Sequence, residues 1–173
     1  DSWDEKFESA RKIIAGPKKS LNYLYVPEMD KYGHRNGWTS PGWAAMLEEL
    51  DALLRSFCSN LPKDTGVIIT ADHGMVETEK SRQLVLDDYY ESSGLVRFVG
   101  GDTRVNYVYL DNETSIDRVI QDLQPVSYAF DAVVTSDAIE ANWFGEVSQA
   151  ARNRLPEIML LAKSNYTLYH SKY

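Results

Sequence analysis

The chain has 173 residues, 43% of them hydrophobic and 25% charged, enough apolar material for one core or two small ones and too much for a disordered chain. Its net charge of −8, with no Lys/Arg cluster, excludes binding a nucleic acid polymer through a basic surface. No apolar run approaches the roughly 20 residues that cross a bilayer, and the single cysteine, Cys58, cannot form an intramolecular disulfide, which leaves the compartment open.

In chain order, Trp3, Phe7, Ala10, Ile13 and Ile14 recur at helical spacing and predict an amphipathic helix over 4–15, closed by Gly16-Pro17. Leu21-Asn22-Tyr23-Leu24-Tyr25-Val26 is apolar and aromatic, is bounded by Lys18-Lys19-Ser20 and Pro27, and reads as a largely buried strand. The motif Glu28-Met29-Asp30-Lys31-Tyr32-Gly33-His34 is then expected on the loop after it. Ser40-Pro41 is a helix start, with Trp43, Met46, Leu47, Leu50, Leu53, Leu54 and Phe57 continuing at three- and four-residue steps. Gly66 to Ala71 reads as a second strand, so strand, helix and strand together predict a βαβ crossover in a parallel sheet. The second motif, Thr70-Ala71-Asp72-His73-Gly74-Met75, closes it.

Beyond residue 80, Leu95–Val99 and Val105–Leu110 predict a hairpin turning at Gly100-Gly101-Asp102. A short helix over Ser115–Leu123, a strand at Ala132–Thr135, a helical stretch near Val147–Arg154 and strands at Glu157–Ala162 and Tyr166–Tyr169 follow. The shift in composition places a boundary near 78–82, giving regions 1–80 and 81–173.

Each motif sets a carboxylate beside an imidazole, and together they hold two of the three histidines. Such oxygen and nitrogen donors suit Zn²⁺ and similar divalent ions, and two half-sites brought together would form a binuclear hydrolytic centre. The ends of parallel strands, where both motifs are expected, are where ligands bind in open α/β sheets. The acidic balance would repel a phosphate ester unless bound cations reversed the local field. Plainer readings stand beside these: Asp30 as a helix cap with His34 facing solvent, and Asp72 as the N-cap of a strand-to-helix turn.

Tyr25-x-x-Glu28-x-Asp30-x-x-Gly33-His34 followed by Thr70-Ala71-Asp72-His73-Gly74-Met75 resembles the type I phosphodiesterase/nucleotide pyrophosphatase family of the alkaline phosphatase superfamily, most strongly over residues 21–76. The resemblance implies an α/β alkaline phosphatase-like sandwich portion with a smaller α/β subdomain. It also implies hydrolysis of phosphodiester or pyrophosphate bonds by two zinc-type ions and a threonine nucleophile, and a small phosphate ester or nucleotide as substrate. Asp30 and His34 would hold one ion, Asp72 and His73 the other, and Tyr25 would match the aromatic residue that stacks on a nucleobase, its plainer reading being a core strand aromatic. The family's nucleophile lies well upstream of the first motif, and only twenty residues precede Leu21. The chain is therefore expected to be a part of the enzyme that lacks the nucleophile, and Thr65, Thr70 and Thr78 are not assigned that role. His170 does not match the family's downstream ligand and is expected to cap or face solvent. Arg97 and Arg104 are expected as surface charge, and Trp143-Phe144 as packing anchors. Two further readings remain: monoester hydrolysis or phosphoryl transfer within the superfamily, and a metal-free interaction or structural module.

Overall fold

The computed structural model describes residues 2–90, 93–112 and 115–170. The chain divides into two compact units, Asp1–Glu77 and Thr78–Tyr173.

The first unit is built on three helices, α1 (Trp3–Ile14), α2 (Glu28–Asn36) and α3 (Pro41–Ser59). Helix α1 starts with a reciprocal cap: Glu5 N–H donates to Ser2 Oγ at 3.3 Å, and Ser2 N–H donates to Glu5 Oε2 at 2.8 Å. Helix α3 starts as its sequence requires, with Ser40 Oγ accepting from Trp43 N–H and Pro41 in the first turn. The apolar stripes of α1 and α3 meet at Phe7 and Phe57, whose ring centroids are 5.1 Å apart, with Leu50, Leu53 and Leu54 around them. Helix α2 is fastened to both neighbours. Trp3 Nε1 and Lys6 Nζ on α1 donate to Glu28, at 3.0 and 2.6 Å, and Trp43 Nε1 on α3 donates to Met29 O at 3.1 Å.

Two expected elements are not formed. Residues 21–26 and 66–71 belong to no strand, so among the described residues the first unit contains no βαβ crossover and neither motif leaves the end of a parallel strand. The first motif lies on α2 rather than on a loop. Composition reports that a segment suits a pleated surface, but a strand forms only where another backbone runs about 4.8 Å away, and the regular elements of this unit are helices.

Among the described residues the second unit holds six strands: β1 (Gln83–Val85), β2 (Val96–Asp102), β3 (Val105–Leu110), β4 (Phe130–Val134), β5 (Ile158–Ala162) and β6 (Thr167–Tyr169). Strands β2-β3-β5-β4 form an antiparallel sheet in that order, and β1 pairs in parallel with β6. Between them run α4 (Asp87–Tyr90), α5 (Ile116–Asp122), α6 (Thr135–Glu140) and α7 (Gln149–Arg152). The predicted hairpin is present, but its turn is Thr103-Arg104. Asp102 Oδ1 accepts from Arg104 N–H at 3.0 Å, and Gly101, at φ +95°, supplies a conformation that a side chain would oppose. Strand β3 alternates, burying Asn106, Val108 and Leu110 on one face. Val108 and Leu110 join a core with Leu86, Ile158 and Leu160. The chain thus mixes helices with parallel and antiparallel strands, an α/β fold. Among the described residues no helix is long and apolar enough to cross a membrane.

Candidate metal centre

Helix α2 places Asp30 in its first turn and His34 in its last, one turn apart on the same face, where the helix dipole favours an anion and a cation respectively. His34 Nε2 lies 3.2 Å from Asp30 Oδ1. The second motif comes to the same face: His73 Nε2 is 3.8 Å from that oxygen and 3.9 Å from Asp72 Oδ1, and the two imidazole centroids are 6.5 Å apart. Asp72 is no helix cap, since no helix follows it; its Oδ1 accepts the His73 amide at 3.1 Å.

What brings the second motif onto α2 is a close approach at Gly33. A Cβ there would lie 2.6 Å from Met75 Sδ and 3.3 Å from Trp43 Nε1, so the missing side chain is the seat for Met75, two residues after His73. Thr39 Oγ1 donates to Glu77 at 3.2 Å and holds the segment further on. Neither contact is legible in the sequence beforehand, although Gly33 and Met75 both lie inside the recognised motifs.

The donor chemistry fits a divalent ion of the zinc class, which takes imidazole nitrogen and carboxylate oxygen. Two observations support that fit. Asp30 Oδ1 is withdrawn from solvent and accepts no hydrogen bond of sound geometry, although two imidazole nitrogens stand near it. His73 Nδ1 lies 2.9 Å from Gly74 O, a pure acceptor, which sets the proton on Nδ1 in the neutral ring and turns the Nε2 lone pair toward the carboxylate. The side chains are not drawn into a cage: among the described residues no three of His, Cys, Asp and Glu meet closely enough to hold an ion.

Tyr25 stands outside this cluster, on the segment before α2. It is exposed, which rules out the core-aromatic reading, and its ring lies nearly parallel to that of Tyr23, with centroids 6.2 Å apart. The open recess of about 460 Å³ lined by Glu28, Lys31, Tyr32, Arg35, Asn36 and Met46 contains none of the four candidate ligands. Glu28, within the first motif, serves the fold. Burial alone would raise its carboxyl, but hydrogen bonds from Lys6 and Trp3 outweigh that and hold it below the usual carboxylate range.

Other expectations are corrected. His170 neither caps a helix nor faces solvent: its side chain is 11% exposed, and its Nε2 lies 2.7 Å from Oδ1 of Asp87, itself 4% exposed. Arg104 is no free surface charge, because its guanidinium donates to the carbonyls of Tyr166 and Ala162. Trp143 and Phe144 are exposed rather than packed. Thr70, expected on a strand, lies in a segment that belongs to none.

The sequence model of the type I phosphodiesterase / nucleotide pyrophosphatase family matches residues 1–173. The chain belongs to this family. Among solved structures it is similar to murine ectonucleotide pyrophosphatase / phosphodiesterase 5, with 19% identity and a TM-score of 0.71 over 99% of this chain and 46% of that one. The same figures hold for an inactive form of the murine protein in complex with AMP. The human counterpart matches with 21% identity and a TM-score of 0.72 over 96% of this chain and 45% of its own. At such identities the likeness establishes the fold, the alkaline phosphatase-like α/β type. The chain spans less than half the length of these family members.

Proposed function

We propose that this chain carries the metal-bearing part of a hydrolase of phosphodiester or pyrophosphate bonds in nucleotides, with residues 1–80 in the catalytic core and 81–173 as a smaller subdomain. The observation that carries the reading is the meeting of His34 and His73 at one carboxylate oxygen of Asp30, from motifs of the family matched over the whole chain. The murine relative's complex with AMP supports a nucleotide as substrate.

Asp30 and His34 would hold one divalent ion and Asp72 and His73 a second. When bound, such a pair neutralises the phosphoryl oxygens and stabilises the attacking and leaving oxygens of an in-line displacement. The residues' own part is to supply donors of fixed protonation: Gly74 O holds the His73 tautomer, and the α2 turn keeps Asp30 and His34 together. Tyr25, exposed ahead of α2, is assigned the nucleobase contact. No hydroxyl of this chain is assigned as nucleophile; the attacking threonine belongs to polypeptide outside residues 1–173.

The test is hydrolysis of a chromogenic thymidine-phosphate diester with zinc present, by the full-length protein and by the 173-residue chain. Turnover is expected from the full-length protein alone, and Asp72→Asn or His73→Ala in it should lower the rate at least about 100-fold, the several kcal/mol that metal charge stabilisation supplies. Robust turnover by the 173-residue chain would overturn the placement of the nucleophile.

A further inference from the structure

The face of α2 beside the candidate ligands has a chemistry of its own. Lys31 and Arg35 each follow a candidate ligand by one residue, so they stand one turn apart and about 100° around the helix from Asp30 and His34. With Glu28, Tyr32, Asn36 and Met46 they line the recess of about 460 Å³ that holds none of the four ligands. Helix α3 shapes its wall: the Tyr32 hydroxyl occupies the space that a Cβ on Gly42 would fill, and Tyr32 and Met46 are both half-buried.

The charge of this recess opposes that of the chain, whose net charge is −8. Glu28 is the one carboxylate among the lining residues, and it already accepts from Lys6 Nζ at 2.6 Å and Trp3 Nε1 at 3.0 Å. Among the described residues no ion pair engages Lys31 or Arg35, whereas Lys6, Arg11, Lys12, Arg55, Arg118 and Lys163 each meet a carboxylate. A guanidinium offers a fork of N–H donors and an ammonium a compact point charge, and both suit a phosphate. A phosphate monoester has close to two negative charges at neutral pH, one for each cation. The ring of Tyr32 and the thioether of Met46 suit an apolar body attached to it. We propose that this recess binds a small organic phosphate monoester, with Arg35 and Lys31 at the phosphate and Tyr32 and Met46 against the body, at a site separate from the candidate metal centre. Binding there requires no hydrolysis, so the site stands or falls independently of the proposed reaction.

Phenyl phosphate is the probe, titrated into the natural protein at its full encoded length and followed by NMR. The Met46 methyl and the Arg35 Nε–H report the recess, and the rings of His34 and His73 report the metal centre. Saturable shifts of Met46 and Arg35 are expected below about 10 mM. Arg35→Gln and Lys31→Gln, both at exposed positions, should each weaken the Met46 response at least about fivefold while the signals of α3 keep their places. Absence of a saturable shift overturns the proposal, and so does a Met46 response unchanged in both variants. Equal binding of phenol would reduce the site to apolar contact, and equal binding of benzoate would remove its assignment to phosphate. Shifts confined to the His34 and His73 rings would place the phosphate at the metal centre instead.

Discussion

Gly33 and Met75 show how much of the candidate centre depends on one absent side chain. Met75 lies where a Cβ on residue 33 would stand, so Gly33→Val would overpack the contact, at a cost of about 1–3 kcal/mol. The consequence reaches further than stability, because Met75 follows His73 by two residues and the displaced segment would carry the imidazole away from Asp30. Thermal unfolding and the histidine ring signals in NMR would check this: we expect a lower melting temperature and a changed environment for both His34 and His73, with His170 unmoved. The Asp87–His170 contact makes a second residue-level prediction. Asp87 is buried and His170 largely so, and His170→Ala would remove the imidazole from the carboxylate, which should lower the stability of the second unit in denaturant unfolding. Unchanged stability would return His170 to the surface role that its place in the sequence implied.

At the scale of elements, α2 is a short helix whose position is set by its neighbours more than by its own propensity. It starts at Pro27 without a side-chain cap, and its acidic first turn is held by Lys6 and Trp3 of α1 through Glu28. The Glu28 carboxyl is held below its ordinary value in the folded state. Its contribution is therefore present above the unfolded carboxylate range and lost as pH falls through the folded value. Acid titration followed by tryptophan fluorescence should show the α1–α2 contact loosening in the acid range, and Glu28→Gln should flatten that transition. An unaltered acid transition in Glu28→Gln would assign it to other carboxylates.

At the scale of the whole molecule, the first unit offers two donors to each expected ion, whereas a closed zinc site uses four and a catalytic site commonly three. Zinc titration of the 173-residue chain by calorimetry should therefore find no nanomolar site. A tight stoichiometric site that disappears in Asp72→Ala would show that the ligand set is complete within these residues. The second unit behaves differently, because its antiparallel sheet and the β1–β6 pair supply the partners its strands need.

The helices at 4–15 and 41–57, the β2–β3 hairpin and the later strands were legible in the sequence because caps, periodicity and turn chemistry act over a few residues, and the chain beyond residue 80 contains the partners they require. The two motifs were legible for a similar reason: a carboxylate and an imidazole at short spacing identify donor chemistry before any fold is known. Strand formation at 21–26 and 66–71 was not decided by the sequence, since composition describes a suitable surface while pairing needs a second backbone. Nor was the burial of His170, whose partner Asp87 is distant in the chain and is brought to it by the β1–β6 pairing. The convergence of His73 on Asp30 likewise depends on Met75 settling over Gly33, a contact of shape between distant residues that only the folded chain creates.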